Sequence, residues 1–209
     1  MEKVGNVLVL GIGNVLWADE GFGVRAVEAL HAGYEFGPDV TLLDGGTLGL
    51  NLYEYVAAAE RVLVFDAIDF HLAGGALLVL RDGDVPAWGR TKLSPHQLGF
   101  NDVLGLAQIR DRGPERIVAI GVQPLTLEDF GGSLTEPVRN RLAEAVALGA
   151  AELAAWGFPG TLRAPGAVIE PLNANALDLT RYESERPSQH EALRTGDPRV
   201  LALTPPEGD

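Results

Sequence analysis

The sequence predicts an α/β fold: a three-layer domain on a mostly parallel, five-stranded twisted sheet, with helices on both faces and one antiparallel edge strand. Three observations carry this. Short apolar runs ended by glycine or acid alternate with stretches of helical spacing. The runs are apolar along their length, as strands covered on both faces are. One link between runs, residues 69–76, is short. A parallel crossover takes about a dozen residues or more, so the run after that link turns back antiparallel, at an edge.

The elements come in order. Residues 6–12 form the first strand, ended by Gly11-Ile12-Gly13-Asn14. Val24, Val27 and Leu30 mark a helix from Gly21 to about Gly33. Val40–Leu43 is the second strand, stopped by Asp44-Gly45-Gly46, and Leu48–Ala59 the second helix. Arg61–Ile68, Leu77–Leu80 and Arg116–Val122 are strands three, four and five. Ser94 suits an N-cap, Pro95 the first helical position and Gln97 the capping-box position, so a helix runs from there to about Ile109. Thr135-Glu136-Pro137 opens the last long helix, with Val138, Leu142, Val146, Gly149 and Leu153 on one stripe. Residues 1–158 then make the α/β domain. Seven prolines interrupt residues 159–209, a proline-rich extension expected to have little regular structure and to pack on the domain through Val168, Ile169 and Leu172.

The net charge of −13 argues against nucleic acid as a partner, since phosphate binding needs a basic stripe. No apolar run reaches the ~18 residues of a membrane span. Without a leader-like N-terminus, a cytoplasmic location and no membrane partner are expected. The chain has no cysteine, so disulfides, thiolate metal sites and a cysteine nucleophile are excluded together. Neither a Gly-x-Ser-x-Gly elbow nor a phosphate-binding Gly-x-x-x-x-Gly-Lys loop occurs.

The turn after the first strand is half of a dinucleotide fingerprint. Gly11 and Gly13 stand at the first two glycine positions, but Leu16 replaces the third. Asp19 and Glu20 then sit where a pyrophosphate would lie, and they would repel it. In parallel sheets ligands bind beyond the carboxyl ends of the strands. At those ends lie Glu20, Asp44, Asp66 and, shortly after, Asp69 and His71; His96 opens a helix that covers the sheet. Glu20, Asp66 and His96 are expected to converge from three segments as a site of two carboxylates and one imidazole. Such a site suits a zinc- or nickel-like ion with open positions, and is too poor in oxygen for calcium. Each residue also has an ordinary use: Glu20 on a helix dipole, Asp66 in a loop hydrogen bond, His96, Asp69 and His71 at the surface, and Asp44 in a turn. Asp19 or Asp44 is a candidate for proton transfer.

Five motifs occur in order: Leu10-Gly-Ile-Gly-Asn-Val-Leu16, Asp19-Glu20-Gly-Phe-Gly-Val24, Leu43-Asp-Gly-Gly-Thr47, Phe65-Asp-Ala-Ile68 and Ser94-Pro-His-Gln-Leu-Gly99. Together they resemble the hydrogenase maturation proteases, over roughly residues 5–157. The resemblance implies a cytoplasmic endopeptidase that removes the C-terminal extension of a nickel–iron hydrogenase large-subunit precursor after nickel insertion. It implies Glu20, Asp66 and His96 as the catalytic, metal-binding residues. The nickel is supplied by the substrate, cadmium or zinc entering the site in vitro, and no organic cofactor is implied. The large-subunit precursor is the expected partner, and the protein is expected to be a monomer. Two other readings stay open: a nucleotide-binding α/β enzyme, with Asp44 on the ribose, and a non-catalytic, metal-dependent assembly chaperone.

Overall fold

Val7–Ile12 forms β1, buried at every position and flanked by a parallel strand on each side. The computed structural model describes residues 6–85, 95–164, 166–173 and 177–186, and of residues 95–99 the backbone only. β1 pairs in parallel with β3 (Val40–Gly46) on one side and with β4 (Arg61–Ala67) on the other. β4 pairs in parallel with β6 (Arg116–Val122), and β5 (Leu77–Arg81) runs antiparallel to β6. The order is β3-β1-β4-β6-β5, so the antiparallel strand is at the edge, as the short 69–76 link requires. A second sheet has two short strands, β2 (Tyr34–Glu35) and β7 (Thr161–Leu162).

The pleat divides the core in two. Val7, Val9, Leu63 and Phe65 point to one face, against α1 (Phe22–Gly33). Leu8, Leu10, Val62 and Val64 point to the other, with Val56 of α2 (Tyr53–Ala58) and Phe100 and Val103 of α3 (Pro95–Ile109). Alternate residues of one strand thus serve different layers, because side chains reverse direction at each step. The first face also takes α5 (Leu142–Ala155) through Ala145 and Leu153.

Several boundaries differ from expectation. A 3-10 turn, Ala18–Gly21, precedes α1, and another, Gly49–Leu52, replaces the first turn of the second helix. β3 continues through Asp44-Gly45-Gly46, because a register shift at Gly11/Ile12 lets Gly46 pair with Ile12. The last helix is two helices, α4 (Glu136–Arg139) and α5, separated at Asn140 and Arg141. The stripe survives the break: Val138, Gly149 and Leu153 are buried, while Leu142 and Val146 pack against the core at its margin. Ser94, expected as an N-cap, lies outside the described residues.

Beyond residue 158 the described extension holds β7 and α6 (Leu179–Glu185), the latter capped by the Asp178 side chain. Leu172 packs against the core and Ile169 lines a cavity beside α1, whereas Val168 is fully exposed. The expectation for Val168 is therefore corrected: apolar character alone did not give it a surface to cover.

Close approach of α1 to the sheet decides how the rim is built. A Cβ on Gly23 would lie 2.2 Å from the Phe65 carbonyl oxygen and 2.3 Å from that of Ile12. One on Gly11 would lie 2.4 Å from the Gly23 oxygen. Gly11 and Gly23 face each other across this contact, and backbone on both sides cannot yield as a flexible side chain can. Gly23→Ala is expected to cost about 3 kcal/mol or more, at the upper end for overpacking. Gly105→Ala, on α3 with nothing within 4 Å, is expected instead to stabilise by about 0.5–1 kcal/mol. Urea denaturation of the two variants measures both signs.

Candidate functional site

β1 ends in a turn that leads straight to Glu20. The Asn14 side chain accepts from the Leu16 N–H at 3.0 Å, and the Trp17 N–H donates to the Asn14 carbonyl at 3.0 Å. Gly13, at φ 134°, makes room for the Glu20 peptide: a Cβ there would fall 1.8 Å from the Glu20 carbonyl oxygen. That peptide thus fills the space that a dinucleotide fingerprint leaves open to phosphate. This disfavours the nucleotide reading on sterics, in addition to charge.

Asp19 and Glu20 are adjacent, both buried, and differently used. The Asp19 carboxylate accepts four hydrogen bonds: from the N–H groups of Leu125 (2.9 Å), Thr126 (3.1 Å) and Thr135 (2.7 Å), and from the Thr135 hydroxyl (3.0 Å). It staples the turn after β1 to the loop after β6. Fully buried and bonded to four donors of that loop, Asp19 has a structural post, in place of the proton-transfer role expected of it. Glu20 is 7 % exposed at the sheet rim, on a turn that packs against β4.

Asp66 is 1 % exposed near the end of β4. Strand parity puts it with Val62 and Val64, on the face covered by α3. His96 belongs to the first turn of α3, one turn before the buried Phe100; its side chain lies outside the described residues. Glu20 and Asp66 thus both lie at the carboxyl-terminal end of the parallel strands, and His96 is on the helix that covers the Asp66 face of the sheet. Among the described residues no group of three His, Cys, Asp or Glu side chains is placed to hold a metal ion. Glu20 and Asp66 are both buried at this end of the sheet, and carboxylate oxygens with an imidazole are donors of the kind that divalent transition ions take.

Asp44 belongs elsewhere. Parity aligns it with Leu42, on the α1 face. There Arg25, 3 % exposed, pairs with Glu28 at 2.9 Å, and the Asn173 amide donates to Glu28 at 2.7 Å. Burial pushes the Asp44 carboxyl above the usual carboxylate range. Asn173 opposes this most, Glu28 adds to it, and the Gly46 amide and Arg25 also oppose it. Neither proton transfer at the Glu20–Asp66 rim nor ribose binding suits a carboxyl on this face beside the C-terminal extension.

Asp69 and His71 form a surface loop. The Asp69 carboxylate accepts from the His71 N–H at 2.8 Å and from the Gln123 amide at 3.0 Å, and these two bonds hold it below its ordinary range. Gln123 is the organiser that sequence reasoning missed. It is buried, and its carbonyl oxygen also accepts from the N–H groups of Phe70 (2.7 Å) and Leu72 (3.1 Å). A polar residue directly after an apolar strand was the available signal.

These contacts have two measurable consequences. Asp19→Ala leaves three backbone N–H groups without their acceptor and is expected to cost about 3 kcal/mol or more, read by urea denaturation. For Asp44, a folded pKa above the unfolded value means a stabilising contribution present below about pH 4 and lost as pH rises through the folded pKa. Asp44→Asn, which resembles the protonated form, is expected to gain stability relative to wild type between about pH 4 and pH 7. Urea midpoints at the two pH values measure the difference.

A family model described as HycI, hydrogenase maturation protease, matches residues 24–152. The hydrogenase expression/formation protein HupM of Azotobacter chroococcum is 50 % identical over 205 residues, 98 % of this chain and 97 % of its own. The hydrogenase 2 maturation protease of Escherichia coli is 41 % identical over 67 % of this chain and 85 % of its own. The solved hydrogenase maturating endopeptidase HybD from E. coli superposes with a TM-score of 0.73 at 38 % identity, covering 76 % of this chain and 98 % of that one. With the matching model spanning more than half of its length, the chain belongs to the hydrogenase maturation protease family.

Proposed function

We propose that this protein is an endopeptidase that removes the C-terminal extension of a nickel–iron hydrogenase large-subunit precursor, after nickel insertion, and that it recognises the precursor's nickel. The observation that carries this is the burial of Glu20 and Asp66 at one rim of the sheet, from separate segments, in a chain of this family. The likeness to HybD of E. coli, a hydrogenase maturating endopeptidase, supports the class of reaction.

Nickel arrives as part of the substrate. Glu20, Asp66 and His96 would meet it, while the precursor's own ligands hold the remaining positions. Two carboxylates and an imidazole without thiolate make an open, weak site, as suits residues that inspect a partner's metal. A metal held there would polarise a carbonyl or activate water. The protein's part is orientation: Asp19 fixes the turn of Glu20, and the β4 ladder fixes Asp66. The protein would work as a cytoplasmic monomer.

The test is incubation with nickel-loaded and nickel-free precursor, followed by intact mass. Wild type is expected to shorten only the loaded form. Glu20→Gln, Asp66→Asn and His96→Ala are each expected to slow processing by on the order of 100-fold or more, at least the loss seen on removing groups that support metal ligands. Wild-type rates in all three would refute the role of these residues. Binding without cleavage would favour the assembly-chaperone reading.

A further inference from the structure

The four loops that follow the parallel strands carry a second pattern. These are residues 13–21, 47–52, 68–76 and 123–135. They hold six of the eleven large hydrophobic side chains exposed among the described residues: Leu16, Leu48, Leu50, Leu72, Leu125 and Phe130, each between 39 % and 61 % exposed. Scattered single exposed leucines are normal on a protein surface, but a concentration on one rim is not.

The loops are tied together. Trp17 meets Phe130 edge-on at 5.2 Å, and the Gly131 N–H donates to the Leu16 carbonyl at 2.7 Å. The Gly13 N–H donates to the Gly46 carbonyl at 3.1 Å, joining the turns after β1 and β3. Leu125 leans on the 68–76 loop, where a Cβ on Gly74 would lie 3.1 Å from its Cδ1. Between that loop and the next, a groove of about 400 Å³ opens, lined by Asp69, Gln123, Leu125 and Glu128. The same four loops contain five carboxylates and no lysine or arginine. Asp69, Glu128 and Asp129 thus add negative charge to the apolar side chains of these loops, while Arg139, Arg141 and Arg186 reach in from neighbouring segments to bond the Leu134, Gly75 and Gly131 carbonyls.

We propose that this rim is a docking collar for a segment of the precursor that carries apolar side chains together with lysine or arginine. The inference rests on the function proposed above and specifies the surface it uses. The apolar residues supply contact area, and the carboxylates attract the cationic segment and select against acidic ones. The collar is continuous with the rim that carries Glu20, so a segment lying in it passes the site of cleavage.

The test uses the full chain and nickel-loaded large-subunit precursor. The dissociation constant is taken from rapid association traces that end before cleavage, and cleavage is followed separately by intact mass. The double variant Leu72→Glu/Leu125→Glu and the single variant Glu128→Lys are each expected to weaken binding by at least ~10-fold with unchanged thermal midpoint. Binding by wild type is expected to weaken as salt rises from about 50 to about 300 mM. Ile109→Glu, exposed at the far end of α3, should bind as wild type does. Equal affinity in the collar variants, or an equal loss in Ile109→Glu, overturns the collar. Collar-dependent binding without cleavage sustains the collar and defeats the endopeptidase reading; cleavage without collar dependence does the reverse.

Discussion

The contact between the first turn of α1 and the ends of β1 and β4 is the constraint on which the rest depends. Gly11 and Gly23 let backbone approach backbone there, and Gly13 admits the Glu20 carbonyl beside it. The third glycine of a dinucleotide fingerprint serves close packing of helix on strand. Gly23 performs that service here, well beyond position 16, where the fingerprint would place it. The displacement leaves room for a 3-10 turn, and that turn carries Asp19 and Glu20 to the rim. Packing that elsewhere opens a phosphate cradle here delivers carboxylates.

The rim is then partitioned by two simple rules. Along a strand, side chains alternate between faces, so Asp66 and Asp44 fall on opposite sides of the sheet although both lie near strand ends. Along the 3-10 turn, neighbours point apart, so Asp19 is consumed by four donors while Glu20 stays at the edge of the β4 end. Four acids that look equivalent in sequence thus have separate places: one staples loops, one lies against the extension, and two stand at the rim proposed to meet a cation.

The extension beyond the domain closes on α1. Arg25 donates to the Leu177 carbonyl, Asn173 reaches Glu28, and His31 bonds the Glu170 carbonyl. Glu183 of α6 receives Ser133 and Arg139, which tie it to the loop that Asp19 staples. HupM matches almost the whole chain, whereas HybD accounts for 98 % of itself within 76 % of it. HybD thus corresponds to about three quarters of this chain, and the extension braces the 123–135 loop from outside.

Sequence alone was enough for the α/β class, the five main strands and the antiparallel edge strand, because apolar period and link length are local properties. It also placed Glu20 and Asp66 at strand ends, since an acid after an apolar run is visible in one dimension. What only tertiary structure decided is which acid does what. The four donors on Asp19 come from residues 125–135, more than a hundred positions away, and no local pattern announces them. The partner of Gly23 is a carbonyl on another strand, and the break at Asn140–Arg141 interrupts a helix that reads as continuous. Hydrogen-bond donors and steric neighbours are supplied by distant segments; composition and spacing carry no record of them until the chain is folded.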